Sequence, residues 1–159
     1  MPKKPTKRAP SSDSKKPKWD PALVRAHKAY VDAINSNITE RVLAVYDKDI
    51  QVMQPDGPLV AGAKDIRKWV ADYFYAFKTH WVKVSKIMWV AGDFGFDQGV
   101  DHSVDLPILR DKRGKITGYG KPIKQQVKGI LIYKRQPSGE FKVYRDIWNF
   151  NSPPVITRE

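Results

Sequence analysis

The chain is predicted to be an α+β protein in which three N-terminal helices pack on a mostly antiparallel sheet. Three observations predict this. The hydrophobic period changes once along the sequence, from helical spacing up to about Phe77 to strand-like alternation from Trp81 onward, and helices segregated from strands make an α+β fold. The stretch from Tyr30 to Trp69 reads as helix, short helix, strand, tight turn, helix. Two apolar-faced helices of this length cannot bury their stripes on each other alone, so a sheet must close over them and leave a pocket between. Finally, 159 residues without internal repeats make one domain plus a tail, long enough to bury a core.

The first helix starts at Asp20, an N-cap followed by Pro21 at the first helical position. The carboxylate satisfies orphan amides and the proline ring presets φ. Leu23, His27, Tyr30 and Ile34 recur at helical spacing, which puts Tyr30 on the inward stripe. Asn37 with Glu40 three residues later forms a capping box for a short second helix through Val42, Val45 and Tyr46. Asp49 to Gln54 alternates as a strand, and Pro55, Asp56, Gly57 and Pro58 turn the chain back. A third helix follows Gly62, with Ile66, Trp69, Val70, Tyr73 and Phe77 facing inward. The segments WVKVSKIMWVA, FGFDQGVDHSVDL, IKQQVKGILIYK and FKVYRDIWNF supply the sheet. Asp111 to Gly120 reads as a long exposed hairpin loop and Gln136 to Gly139 as a tighter one, while Pro153 and Pro154 end the last strand.

Composition narrows the function classes. No apolar run approaches the roughly 20 residues that span a bilayer, so no membrane partner is expected. The absence of cysteine excludes disulfides and thiolate metal sites. The N-terminus has no apolar signal core, so a cytoplasmic location is expected, with nuclear import if the cell is eukaryotic. The net charge of +12 is divided: residues 1–18 hold seven Lys or Arg against Asp13 alone. Residues 1–19 therefore form a basic tail expected to be disordered, 20–152 the folded domain and 153–159 a C-terminal tail. The run PKKPTKR suits nuclear import or a phosphate-backbone contact, and equally a solubilising extension. Any nucleic-acid contact would run through this tail alone. In the domain, Lys83, Lys86, Lys112, Arg113, Lys115, Lys121 and Lys124 read as solvated loop and edge residues.

Particular motifs carry a resemblance. YVDAIN followed by a short helix, YDKDIQVMQPDGP, the glycine before DIRKWV and the closing GEFKVYRDIWN resemble the ketosteroid isomerase and nuclear transport factor 2-like superfamily, most closely its bacterial SnoaL-like branch. The resemblance covers residues 20 to 152 and implies a cystatin-like cone, with the helices packed on a curved sheet. This scaffold hosts isomerases, dehydratases, cyclases, epoxide hydrolases and proteins without catalysis, so it does not name a reaction.

Carried over by position, the resemblance puts Tyr30 where the isomerases keep a tyrosine that donates to a developing enolate oxygen. Their catalytic carboxylate falls at Gln54, and an amide cannot accept a proton at neutral pH. Their second oxyanion donor would fall near Val127 to Gly129, where there is no acid, so a steroid isomerase is not expected. Trp69 matches an aromatic pocket wall, with Tyr73 on the same helix face. Gln98, Val100 and His102 match alternating pocket residues on one strand, and Tyr144, Asp146 and Trp148 on the last.

If both strands keep this phase, His102 and Asp146 share the cavity. A carboxylate that orients an imidazole makes a base near neutral pH, so His102 supported by Asp146 would abstract a proton while Tyr30 polarises the acceptor oxygen. Each residue also has a plainer reading. His102 would be a hydrogen-bonded core histidine beside Phe94 and Phe96, Asp146 a partner of Arg145 or Lys142, and Tyr30 a helix stripe residue. Asp97, Asp101 and Asp105 point away from His102 in a strand, so neither a metal nor any other cofactor is expected.

The expected function is a cofactor-independent isomerase or lyase acting on a small apolar carbonyl or hydroxyl compound. The alternative is a non-catalytic ligand- or partner-binding module with a basic tethering tail. A homodimer through the outer sheet face is expected in either case, because helices on one side of an antiparallel sheet leave the other side open.

Overall fold

The computed structural model describes residues 18–153 and the backbone of 155–156. The expected disorder and targeting role of the tail fall on residues 1–17, outside the described ones. Among the described residues, no helix is long and apolar enough to cross a membrane.

The elements in chain order are α1 (Pro21–Asn35), α2 (Thr39–Val45), β1 (Tyr46–Met53), β2 (Val60–Ala61), α3 (Ala63–Ala76), β3 (Phe77–Ala91), β4 (Phe94–Arg110), β5 (Ile116–Tyr119), β6 (Ile123–Arg135), β7 (Phe141–Phe150) and β8 (Val155–Ile156). The three helices pack on one face of a curved, open sheet of order β2-β1-β7-β6-β4-β3. Every strand pair is antiparallel except β1 with β7. The core lies between α1, α3 and the inner sheet face, with Leu23, Ile66, Val52, Val127 and Val143 fully buried.

Helix α1 begins as its sequence dictates: the Asp20 carboxylate accepts from the amides of Ala22 at 2.8 Å and Leu23 at 3.2 Å. Its other end departs from the expected capping box. Ile38 precedes α2 without a side-chain cap, and Glu40 forms an ion pair with Arg67 of α3. Asn37 sits at φ 54°, and its amide reaches β3, donating to the Thr79 carbonyl at 3.0 Å and accepting from the Thr79 amide at 2.7 Å. Asn35 makes the same two contacts with Trp81, at 2.9 and 2.7 Å. Strand β3 is an edge strand, so these two side-chain amides satisfy backbone groups that no neighbouring strand pairs. They also fix the height of α1 over the sheet.

Several boundaries differ from the sequence expectation. Tyr46 belongs to β1 and Phe77 to β3. The loop expected over 111–120 is shorter, because Ile116–Tyr119 folds back as β5 on the extension of β4. The last strand does not simply end at Pro153: β8 pairs Val155 and Ile156 with Lys124 and Ile123 of β6.

Two bulges set which side chains face the core. On β3, Lys86 is an extra residue between the pairs Ser85–Gly99 and Ile87–Gln98, so the inward series Trp81, Lys83, Ser85 continues at Met88. On β7 the extra residue is Tyr144, because Val143 pairs with Tyr133 and Arg145 with Ile132. The inward series there runs Phe141, Val143, then Asp146.

Between the bulges, Gly99 and Gly129 pair across β4 and β6. A Cβ on Gly129 would lie 2.4 Å from the Ile147 carbonyl oxygen, and one on Gly99 2.5 Å from that of Val84. Both obstacles are backbone of adjacent strands and cannot swing aside. Gly129→Ala is therefore expected to cost about 3 kcal/mol in urea denaturation, the upper range for forcing extra volume into a packed site. A loss under about 0.5 kcal/mol would show that the sheet absorbs the change.

Candidate functional site

A cavity of about 280 Å³ opens between α1, α3 and the inner sheet face. Of the expected binding residues, Gln54, Trp69, Tyr73 and Trp148 line it. The Trp69 indole donates to Gln54 Oε1 at 3.0 Å. Its ring lies parallel to Tyr73 at 6.5 Å between centroids, and Trp148 tilts against it at 6.1 Å. One turn of α3 and the end of β7 thus form an aromatic wall.

The remaining binding residues lie elsewhere, for reasons of strand phase. On β4 the inward side chains are Asp97, Asp101, Ser103 and Asp105, all buried, while Gln98 and His102 are exposed and Val100 alternates with them on the outer side. His102 pairs across the sheet with Val82 and Gln126 and is not part of the cavity wall. Tyr144 is the bulged residue of β7 and is turned away as well. It packs on Phe94 with centroids 5.8 Å apart, under the Arg145 guanidinium at 3.6 Å. The expected meeting of His102 with Asp146 therefore does not occur.

An imidazole and a carboxylate do meet in the cavity, but they are His27 and Asp97. His27 Nδ1 lies 2.6 Å from Asp97 Oδ2, with Ser85 Oγ 3.3 Å from the same nitrogen. His27 comes from the α1 stripe that also carries Tyr30, and a one-turn spacing brings both over the sheet. Asp97 Oδ1 is buried without a hydrogen-bond partner among the described residues.

Tyr30 and Asp146 both face the cavity, and the Tyr30 hydroxyl donates to the Asp146 carboxylate. Beside them, Lys83 and Asp101 form an ion pair whose side chains are only 9% and 10% exposed. The Lys83 ammonium also lies over the rings of Tyr30 at 5.4 Å and Trp81 at 5.3 Å. Lys83, expected on a solvated edge, is thus a buried cation at the centre of the site.

Complete burial raises the Asp146 carboxyl above its ordinary range, against the opposing pull of Lys83 and of the Tyr30 hydrogen bond. Burial, with the Asp146 charge next to it, also holds Tyr30 well above the usual phenol value, so it remains a hydrogen-bond donor. A raised carboxyl favours the fold below its unfolded value and loses that advantage as pH climbs through its folded value. Asp146→Asn cannot ionise, so the variant should gain stability relative to the native chain between pH 4.5 and pH 7.5. Urea denaturation at the two pH values measures this, and an unchanged difference would place Asp146 at an ordinary carboxylate value.

At the far end of β4, Asp105 is 1% exposed. It accepts from the Tyr73 hydroxyl at 2.9 Å, from Gln125 Nε2 at 2.7 Å and from Thr79. Burial raises its pKa, opposed by the bonds from Thr79 and Tyr73. No set of three or more metal-ligating side chains comes together among the described residues.

The inner face of β4 is thus more polar than its outer face. The alternation Asp97, Gly99, Asp101, Ser103, Asp105 within a strand was the signal for this, since so many acids on one face of a central strand need partners supplied from other elements. The outer sheet face leaves Val82, Val84, Ile87, Trp89 and Phe94 exposed.

No family model and no curated protein matches the sequence. Solved structures do match the fold. A ketosteroid isomerase-like protein from Erwinia carotovora atroseptica is 19% identical, with a TM-score of 0.64 over 83% of this chain and 95% of that one. A putative dehydratase of the NTF2-like family from Streptomyces avermitilis is 15% identical, with a TM-score of 0.67 over 86% and 95% of the two chains. A type 2 hexachlorocyclohexane dehydrochlorinase is 11% identical, with a TM-score of 0.67 over 87% and 89%. At these identities the likeness establishes the fold and leaves the chemistry to the residues of the site.

Proposed function

From a chain with the fold of the ketosteroid isomerase and nuclear transport factor 2-like superfamily, we propose a cofactor-independent isomerase or lyase that moves a proton on a small carbonyl or hydroxyl compound. One observation carries this reading: the His27–Asp97 pair and the Tyr30–Asp146–Lys83 group share a single cavity walled largely by aromatic and aliphatic side chains. A base and a set of hydrogen-bond donors held apart in one apolar pocket is the arrangement that proton transfer next to a carbonyl requires.

The roles follow from the geometry. With Nδ1–H donated to Asp97, His27 keeps Nε2 as the base and is held in one orientation. Nε2 takes a proton from the carbon beside the carbonyl, and the electron pair moves onto the carbonyl oxygen. That oxygen is received by Lys83 and by Tyr30, whose hydroxyl becomes available when Asp146 is protonated. Return of the proton from His27 to another carbon completes an isomerisation, whereas its transfer to a β-hydroxyl, which leaves as water, completes an elimination. Gln54 holds Trp69 and takes no part in proton transfer.

Exchange of the α-protons of 1-tetralone in D2O, followed by NMR, tests the first step without knowledge of the natural substrate. Acceleration over buffer that His27→Ala abolishes supports the reading. If no member of a panel of cyclic ketones exchanges faster than in buffer, the non-catalytic ligand-binding reading takes its place. The exposed apolar residues of the outer sheet face support a homodimer in either case, and sedimentation showing a monomer at tens of micromolar would remove it.

A further inference from the structure

We propose that Gln125 determines specificity: its carbonyl oxygen accepts a hydrogen bond from a hydroxyl of the ligand, and the buried carboxylate of Asp105 fixes it in that role. The ligand is then a small ring compound with a carbonyl at the reacting end and a hydroxyl at the other. This rests on the reading of the cavity as a small-molecule site and adds a substrate class to it.

Gln125 lies on the inner row of β6 with Val127 and is half-buried in the cavity wall. An amide can turn either its oxygen or its NH2 group to a ligand, and whatever holds the other side of the amide decides which. Here Nε2 donates to Asp105 Oδ2 at 2.7 Å. Asp105 Oδ1 already accepts from the Tyr73 hydroxyl at 2.9 Å and from Thr79, so both oxygens of this carboxylate act as acceptors. It cannot hold the amide by its oxygen, since two acceptors repel. Oε1 is therefore left over. Nothing among the described residues donates to it, and its neighbours do not seal it in as they do Asp97 Oδ1. An oxygen left on the cavity side only accepts, so it selects a ligand donor and turns away a carboxylate, a ketone or an ether.

Asp105 stands behind the cavity wall and is 1% exposed. Burying a carboxylate is costly, and donors from α3, β3 and β6 converge on it to offset that cost. Asp105 is thus a positioning residue, which holds Tyr73 and Gln125 in front of it.

The sheet register sets the ligand's size. Lys83, Asp101 and Val127 form one inward row across β3, β4 and β6, and Trp81, Ser103 and Gln125 form the next. Two strand spacings across and two residues along separate the Cα atoms of Lys83 and Gln125 by about 12 Å. Both side chains reach into the cavity from there, which leaves between them about the width of a fused two-ring system.

The test is isothermal titration calorimetry with 5-, 6- and 7-hydroxy-1-tetralone, each paired with the methyl and methoxy compounds of the same ring position. On the native chain the hydroxyl compound is expected to bind about tenfold more tightly than its methyl counterpart in at least one pair, and the methoxy compound to gain nothing. Gln125→Met, which keeps the side chain's length, is expected to abolish the hydroxyl preference. Asp105→Asn tests the positioning. The new side chain keeps an oxygen for Thr79 and Tyr73 and puts its NH2 opposite Gln125, which turns Gln125 Nε2 to the cavity. The methoxy compound should then bind about tenfold more tightly than the methyl one, a reversal that loss of packing alone does not produce. Equal binding of hydroxyl and methyl compounds to the native chain in every pair overturns the proposal and leaves the cavity reading intact. Persistence of the preference in Gln125→Met overturns the assignment to this residue, a comparison that holds even where Asp105→Asn does not fold. A folded Asp105→Asn without the reversal overturns the positioning role. If none of the compounds binds, the cavity reading and the role of Gln125 fall together.

Discussion

Replacement of His27 by alanine should lower the rate of catalysed α-proton exchange by about 100-fold or more, while His102→Ala stays within about twofold of the native rate. The contrast matters more than either number. Both are histidines of the folded domain, and only one shares a cavity with a carboxylate partner and hydrogen-bond donors. Asp97→Asn should fall between them. It keeps a hydrogen bond to Nδ1 but permits the wrong tautomer, and loses the charge that stabilises an imidazolium. Circular dichroism on each variant separates lost chemistry from lost fold. A His27→Ala enzyme with native exchange rates would remove the proposed base.

Lys83→Met is expected to destabilise the fold by about 3–5 kcal/mol, because it strands the Asp101 carboxylate, 7% exposed, without its counter-ion. The double change Lys83→Met with Asp101→Leu should recover most of that loss, since an apolar pair of similar volume avoids the desolvation of both charges. Urea denaturation of the four proteins of the cycle measures the coupling. A single-variant loss below about 1 kcal/mol would mean that water reaches Asp101 freely and that the cavity is wetter than its lining implies. The double variant should remain without exchange activity even if it is as stable as the native chain, because stability and oxyanion stabilisation are separate demands on Lys83.

The parts of the site most readable from sequence are those on helices. Tyr30 was placed inward by the spacing of Leu23, Tyr30 and Ile34, and Trp69 and Tyr73 by the spacing of α3. A helical stripe is several residues wide, so an error of one position still leaves the right face inward. Strands give no such tolerance, since a one-residue error in phase turns every side chain to the opposite face. That is why Gln98, Val100 and His102 were expected inside when Asp97, Gly99 and Asp101 are there. The same sensitivity acts at β7, where the bulge at Tyr144 shifts the phase midway. Asp146 and Trp148 line the cavity because they follow the bulge, and Tyr144 is turned away because it forms it.

The sequence by itself determined the class of fold, the order of helices before strands, the N-cap of α1 and the apolar stripes that must be covered, because these depend on local periodicity and on the chemistry of single residues. Only the tertiary structure decided which acids meet which cations. His27 lies seventy positions from Asp97, and Tyr30 more than a hundred from Asp146. Those pairings are set by sheet register, by two bulges and by the seating of α1 on the edge of β3 through Asn35 and Asn37. The physical reason is that a buried charge is tolerated only beside its partner. Which partner is within reach depends on where distant strands come to lie, and nothing in the local pattern of residues encodes that.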